Sequence, residues 1–274
     1  MGRLAGFWRG PVLAAVILAP SAWCAARAEP AAPAARAGRA LARAVPLGAV
    51  VRFGRSARGR PLLAWVRGPR RAPRRILVVG CIHGDEPAGI AVTRALRRLP
   101  GTPGARLILV DELNPDGRRA GARQNARGVD LNRNFSVGFR RSGRRGETFY
   151  SGPRPFSEPE TRALRSLVLR ERPTVTIWFH QHLNLVDLSG GNAGLERRFA
   201  RRIGLRAVRL APLAGTATRW QNRRLAHTSA FVVELPAGAA RPGLRVRLLA
   251  AIRALEGHRA RSRAAGTRRP AAAF

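Results

Sequence analysis

Lysine is missing from this chain of 274 residues, so all 51 of its basic residues are arginine, against only 15 acidic ones. A formal net charge of +36 invites a nucleic-acid or anionic-surface reading. Two further shortages oppose specific nucleic-acid binding. There is a single tyrosine, and no RNP-like, zinc-finger or helix-turn-helix pattern turns the arginines into base readers. Ala, Gly, Pro and Arg are inflated together along the chain, as a compositional bias of the coding genome would produce. Weak attraction to an anionic polymer such as cell wall is the physical side effect.

Long apolar runs are also missing. The run from Pro11 through Ala19, behind Arg3 and Arg9, is too short to span a bilayer comfortably, and Ala26-Arg27-Ala28 offers a small-x-small cleavage site. This layout predicts a signal peptide over 1–28, an uncleaved anchor being the alternative, and hence an exported, extracytoplasmic protein with no transmembrane span after cleavage. Trp23 opposes lipid attachment at Cys24, because that position needs a small residue. Cleavage leaves Cys81 alone, so no intrachain disulfide forms. Cys81 lies in an apolar strand and reads as a buried packing residue.

Apolar residues make up 45% of the chain, and its length suits one domain with a full core. Residues 29–45 are Ala, Pro and Arg without apolar periodicity and read as a disordered linker. From about Leu47 the pattern is that of an α/β protein. Ile76–Gly80, Leu107–Val110, Val175–Phe179 and Ala230–Val233 are continuous apolar runs, as expected of strands buried on both faces. Helices are expected over Pro87–Leu99, from a capping box Ser157-Glu-Pro-Glu160 to about Arg170, and over Leu244–Leu255. One domain over 46–257 accounts for everything ordered, and the Arg/Ala-rich tail 258–274 is expected to fray.

The rare polar groups fall in informative places. Sites in open α/β sheets form outside the carboxyl ends of strands. His83 and Glu86 follow the first apolar run closely, His180 follows Phe179 at once, and Glu234 follows Val233 at once. These are candidate ligands or bases drawn from a chain with only 5 histidines. Zinc favours imidazole nitrogen and carboxylate oxygen, and a catalytic zinc takes three protein ligands with one position open. His83-x-x-Glu86 in a turn can present two ligands to one ion, with Gly84 allowing a sharp bend and a distant residue closing the set. By itself that spacing also fits a surface-turn histidine near an acid.

A second cluster is Gly128-Val-Asp-Leu-Asn-Arg-Asn-Phe135, preceded by Asn114-Pro-Asp-Gly117. With His83–Glu86, Ser157–Glu160 and Val233-Glu-Leu-Pro236, in this order, the chain over about 48–255 resembles the M14 zinc carboxypeptidase family. The likeness is to its small bacterial branch, which cleaves the γ-D-glutamyl-diaminopimelate bond of murein peptides. The resemblance implies a three-layer α/β/α fold around a central mixed, largely parallel twisted sheet. It implies one Zn2+ per chain held by His83, Glu86 and His180. His182, two residues on, is the competing ligand, but the strand end and the family register favour His180.

The resemblance also makes Glu234 the general base, which takes a proton from the attacking water and passes it to the leaving amine. Arg123 matches the arginine that stabilises the tetrahedral oxyanion, although Arg118, Arg119 and Arg127 crowd around it. Asn132 and Arg133 match the pair that grips a substrate carboxylate. Asp130 matches the carboxylate that orients the first zinc histidine. Arg219 and Trp220 fall where the family has its specificity pocket, with a solvated charge and ordinary packing as the plainer readings. The carboxypeptidases proper carry an active-site tyrosine upstream of the base. Here the only tyrosine, Tyr150, lies before Ser157, which fits the murein branch better than C-terminal trimming. Two other functions stay open: a zinc deacylase of N-acyl amino acids, similar to aspartoacylase and succinylglutamate desuccinylase, and a non-catalytic wall-binding protein on the same scaffold.

Overall fold

The computed structural model describes residues 48–257. The expected signal peptide, linker and tail, and the first two residues of the expected domain, lie outside the described residues. In chain order the elements are β1 (Ala49–Arg55), β2 (Pro61–Arg67), β3 (Arg74–Val79), α1 (Ala88–Arg97), β4 (Ala105–Val110) and α2 (Pro115–Ala120). A single 3-10 turn (Leu131–Arg133), α3 (Pro159–Glu171), β5 (Val175–Asp187), α4 (Ala193–Ile203) and β6 (Arg206–Val208) follow. Then come α5 (Ala217–Arg224), β7 (Ser229–Pro236) and α6 (Pro242–Gly257).

The four apolar runs become β3, β4, β5 and β7, at the centre of a seven-stranded sheet ordered β1-β2-β4-β3-β5-β6, with β7 also paired to β5. β3/β4, β3/β5, β5/β6 and β5/β7 are parallel, whereas β1/β2 and β2/β4 are antiparallel. The sheet is therefore mixed and largely parallel. Alternate residues of each run serve opposite cores. Ile76, Val78, Ile177 and Phe179 pack with Val92, Phe199 and Leu248 of α1, α4 and α6. Leu77, Val79 and Trp178 pack with Leu164, Val168 and Trp220 of α3 and α5. Helices thus cover both faces, giving the expected three layers. Among the described residues no helix is long and apolar enough to cross a membrane.

One expectation needs correction, and a second gains a tertiary reason. The residue that caps α3 is Glu158, with no side-chain cap bond. Ser157 Oγ instead donates to Glu158 Oε1 at 2.8 Å, and Glu160 reaches away to the Ala57 N–H at 2.8 Å and the Asn125 amide at 3.1 Å. The Ser-x-x-Glu spacing is spent on tertiary contacts rather than on a capping box. Gly84 does lie in a turn, as expected, and it is also required for close approach, because a Cβ there would collide with the backbone of Gly117 and Arg118 in α2.

Candidate active site

β3 ends inside the sheet and delivers Cys81, Ile82 and His83 to its carboxyl edge, where all three are buried. The Glu86 N–H bonds back to the His83 carbonyl at 3.1 Å, which folds the turn so that both side chains face one point. β5 brings His180 to the same edge. His83 Nδ1 lies 2.9 Å from Glu86 Oε1, and His180 Nδ1 lies 2.8 Å from Glu86 Oε2. All three residues are buried, and one ligand atom from each lies within 4.8 Å of the others. His182 is exposed and stays outside this cluster.

The cluster fits a cation. His83 Nε2 lies 2.9 Å from Asp130 Oδ1, and the fully buried Asp130 also accepts from the Asn132 N–H at 2.8 Å. A neutral His83 that donates Nε2–H to Asp130 points its Nδ1 lone pair at a Glu86 oxygen. Two acceptors face to face repel each other, and a shared divalent ion removes the conflict. The two carboxylates agree in direction. Burial opposes ionisation of Glu86, but His180 and His83 outweigh it and hold the carboxyl well below its usual range. Burial likewise opposes Asp130, and His83 with Arg123 and Arg133 pull it low. Burial would depress His83, yet Asp130 and Glu86 raise it.

Parallel register places the proposed base. His180 pairs with Glu234 across β5 and β7, so the two side chains are neighbours on one face. Both line a cavity of about 530 Å³. Burial raises the Glu234 carboxyl, His180 pulls it back in part, and Glu86 adds to the rise. Its Oε2 is buried without a hydrogen-bond partner, leaving an acceptor free at the cavity wall.

Arg123 donates to Glu86 Oε1 at 2.9 Å and to Asp130 Oδ2 at 3.1 Å, against the His83–Glu86–His180 cluster. Arg133 is buried, its guanidinium 5.1 Å from the Phe149 ring, and burial lowers its pKa. The Asn132 amide nitrogen lies 3.4 Å from His180 Nε2, and its oxygen accepts the Ala217 N–H at 3.0 Å, tying the 3-10 turn to α5. All three residues line the cavity, as does the exposed Arg219. Trp220 does not: it is buried against Phe135 and Phe156, so the packing reading holds for it. Among the described residues no tyrosine lines the cavity. Tyr150 borders a separate cleft with Arg127, Arg145 and Arg154.

Sequence reasoning missed two features. The Gln181 backbone N–H donates to Glu86 Oε2 at 3.2 Å, and its side chain accepts from the Ala88 N–H at 2.8 Å and donates to the Gly238 carbonyl at 2.9 Å. It thus locks Glu86, α1 and the end of β7 together, and its position between two histidines was the available signal. Phe149 lies under both Arg123 and Arg133, and nothing in its sequence surroundings marks it.

Comparison with known proteins agrees with this geometry. The zinc carboxypeptidase family (peptidase M14) matches residues 104–194. Murein peptide amidase A of Escherichia coli (strain K12) is 37% identical over 153 residues, 49% of this chain and 60% of that protein. Its counterpart in Vibrio campbellii (strain ATCC BAA-1116) is 35% identical over 147 residues, covering 49% of this chain and 58% of that one. The matched segments thus span less than two thirds of these curated relatives. In three dimensions, murein-tripeptide amidase from Escherichia coli O157 aligns with TM-score 0.63 at 28% identity, over 79% of this chain and 95% of that one. Carboxypeptidase A from Helicoverpa armigera aligns with TM-score 0.66 at 19% identity, over 76% and 68% respectively, a likeness of fold. With the motif order and the convergent His83, Glu86 and His180, these matches make the chain similar to the zinc carboxypeptidase family of hydrolases, the M14 peptidases, in motif, fold and site.

Proposed function

We propose that this protein is an exported zinc-dependent amidase that hydrolyses an amide bond beside a free carboxylate, its substrate being the γ-D-glutamyl-diaminopimelate bond of murein peptides. The observation that carries the reading is the convergence of His83, Glu86 and His180 with the unpartnered carboxylate oxygen of Glu234 at one cavity wall. Binding alone needs no general base, which weighs against a purely wall-binding role. The names of the Escherichia coli and Vibrio relatives support the murein substrate. Arg3, Arg9, the apolar run and Ala26-Arg27-Ala28 support export and a mature chain starting at Glu29. The net charge of +36 supports weak retention at an anionic wall.

His83, Glu86 and His180 would hold one zinc, which would polarise the scissile carbonyl and lower the pKa of a water at the open position. Glu234 accepts the proton of the attacking water and returns it to the leaving amine. Arg123, freed from Glu86, offers N–H donors to the developing oxyanion. Asn132 and Arg133 hold the carboxylate beside the bond, and Arg219 adds positive charge at the cavity rim. Asp130 fixes the His83 ring through Nε2.

Incubation with L-Ala-γ-D-Glu-diaminopimelate should release L-Ala-D-Glu and free diaminopimelate, read by mass spectrometry, and a chelator should abolish the release. Hydrolysis of N-acyl amino acids in its place would establish the deacylase reading and overturn this one.

A further inference from the structure

We infer that Asp187 and Arg209 form an amino-acid-reading pair at the far end of the cavity, Asp187 taking an ammonium and Arg209 a carboxylate. The inference rests on the amidase reading above. In diaminopimelate the carboxylate beside the scissile bond belongs to one stereocentre. Three methylenes away the side chain ends in a second stereocentre bearing both a free ammonium and a free carboxylate.

Register sets the distance. β7 pairs Glu234 with His180 and Val232 with Asp187. Val232 and Glu234 are alternate residues on one face of β7, and both line the cavity. Asp187 therefore lies diagonally across the strand pair from the proposed base, about 7–8 Å away between backbones. A chain of three methylenes suits that separation. On its other edge Asp187 pairs with Val208 of β6, and the next residue, Arg209, also lines the cavity.

The carboxylate is held in place rather than neutralised. The Leu210 N–H donates to Asp187 Oδ1 at 3.0 Å, and Ser189 Oγ donates to Oδ2 at 2.8 Å. Each oxygen keeps a lone pair for a further donor. Neither Asp187 nor Arg209 forms an ion pair with a described residue. Among the lining residues Asp187 is the one carboxylate besides Glu86 and Glu234, in a cavity that also carries Arg123, Arg133, Arg209 and Arg219. A side chain ending in carboxylate alone would be repelled by Asp187, and one ending in ammonium alone would meet Arg209. A zwitterionic end satisfies both.

The test uses γ-D-glutamyl peptides of diaminopimelate, 2-aminopimelate (no distal ammonium) and lysine (no distal carboxylate) with the full chain. Wild type should favour diaminopimelate over 2-aminopimelate by about tenfold to a hundredfold in kcat/KM, the worth of one buried charged hydrogen bond. Asp187→Asn, which keeps acceptor and donor for Leu210 and Ser189, should collapse that ratio while preserving the preference over lysine. Arg209→Gln should do the reverse. Equal use of diaminopimelate and 2-aminopimelate by wild type, or a ratio that survives Asp187→Asn, overturns the pair. Calorimetric binding of the two free amino acids to wild type needs neither variant nor turnover, and equal affinities would overturn the pair there too. Failure to cleave any of the three peptides, with tighter binding of free diaminopimelate, would sink the amidase reading and leave the pair standing.

Discussion

Glu234 has its Oε2 buried without a partner, and burial raises its pKa. Glu234→Gln keeps the shape and removes the proposed base, so bound zinc should persist while turnover falls by about 10²–10⁴-fold. Near-normal turnover would make Glu234 a structural residue. The raised pKa has a second consequence in the metal-free chain, where no cation opposes it. The fold then binds this proton more tightly than the unfolded chain does. Stability from this group is full below the unfolded pKa of about 4.3 and is lost as pH rises through the raised folded value. Metal-free Glu234→Gln should therefore melt above metal-free wild type at neutral pH, with the gap closing in acid. A gap that is absent or widens in acid would contradict the assigned direction. Cys81 is the opposite kind of residue: burial first, then the carboxylate of Glu112, pushes its thiol up to about 12. A soluble thiol reagent should label it only after denaturation, and rapid labelling of folded protein would show that the His83 loop opens.

Among the elements, β5 carries the most. Its thirteen residues pass from the core at Val175 through His180 to Asp187, and they pair with β3, β6 and β7 along the way. Edge-to-edge pairing with three partners anchors a strand that carries both His180 and Asp187. Far from the cavity, α6 is fastened to β2 by a buried ion pair, Arg67 Nη2 to Glu256 Oε1 at 3.2 Å. Arg67 also donates to the carbonyls of Leu96, in the last turn of α1, and of Leu99 just beyond it. Burial lowers the Arg67 pKa, and Glu256 restores part of it. Glu256→Gln strands that cation, so denaturant unfolding should show a loss of about 3–5 kcal/mol, the usual cost of breaking a buried pair from one side. A loss under about 1 kcal/mol would mean that the Leu96 and Leu99 carbonyls suffice to hold the charge.

For the whole molecule, one metal should join the turn after β3 to the middle of β5, so binding should stabilise the fold as well as the reaction. Zinc removal should lower the melting temperature. His83→Ala, Glu86→Ala and His180→Ala should each lose zinc by elemental analysis, while His182→Ala keeps it. The reverse result for the two histidines would mean a shift of one strand repeat. Protein recovered outside the cytoplasm should begin at or near Glu29 on N-terminal sequencing, and intact Met1 in a cytoplasmic fraction would overturn export.

The central strands and the ligand candidates were legible because burial on both faces forces continuous apolar runs, and a chain with few histidines and acids sets its rare polar groups at their ends. The resemblance to a zinc carboxypeptidase rested on short local motifs, which survive in linear form. β1 escaped notice because it is mostly exposed and carries no buried-strand pattern. The Ser157–Glu160 spacing misled because a local rule competes with distant donors that the sequence does not display. Gly84 was marked, but its second reason, contact with α2, is tertiary. The pairings of His180 with Glu234, Asp187 with Val208 and Arg67 with Glu256 were decided only by the fold. No spacing along the chain encodes them, because the register of parallel strands and the seat of a helix are set by how two cores pack on one sheet.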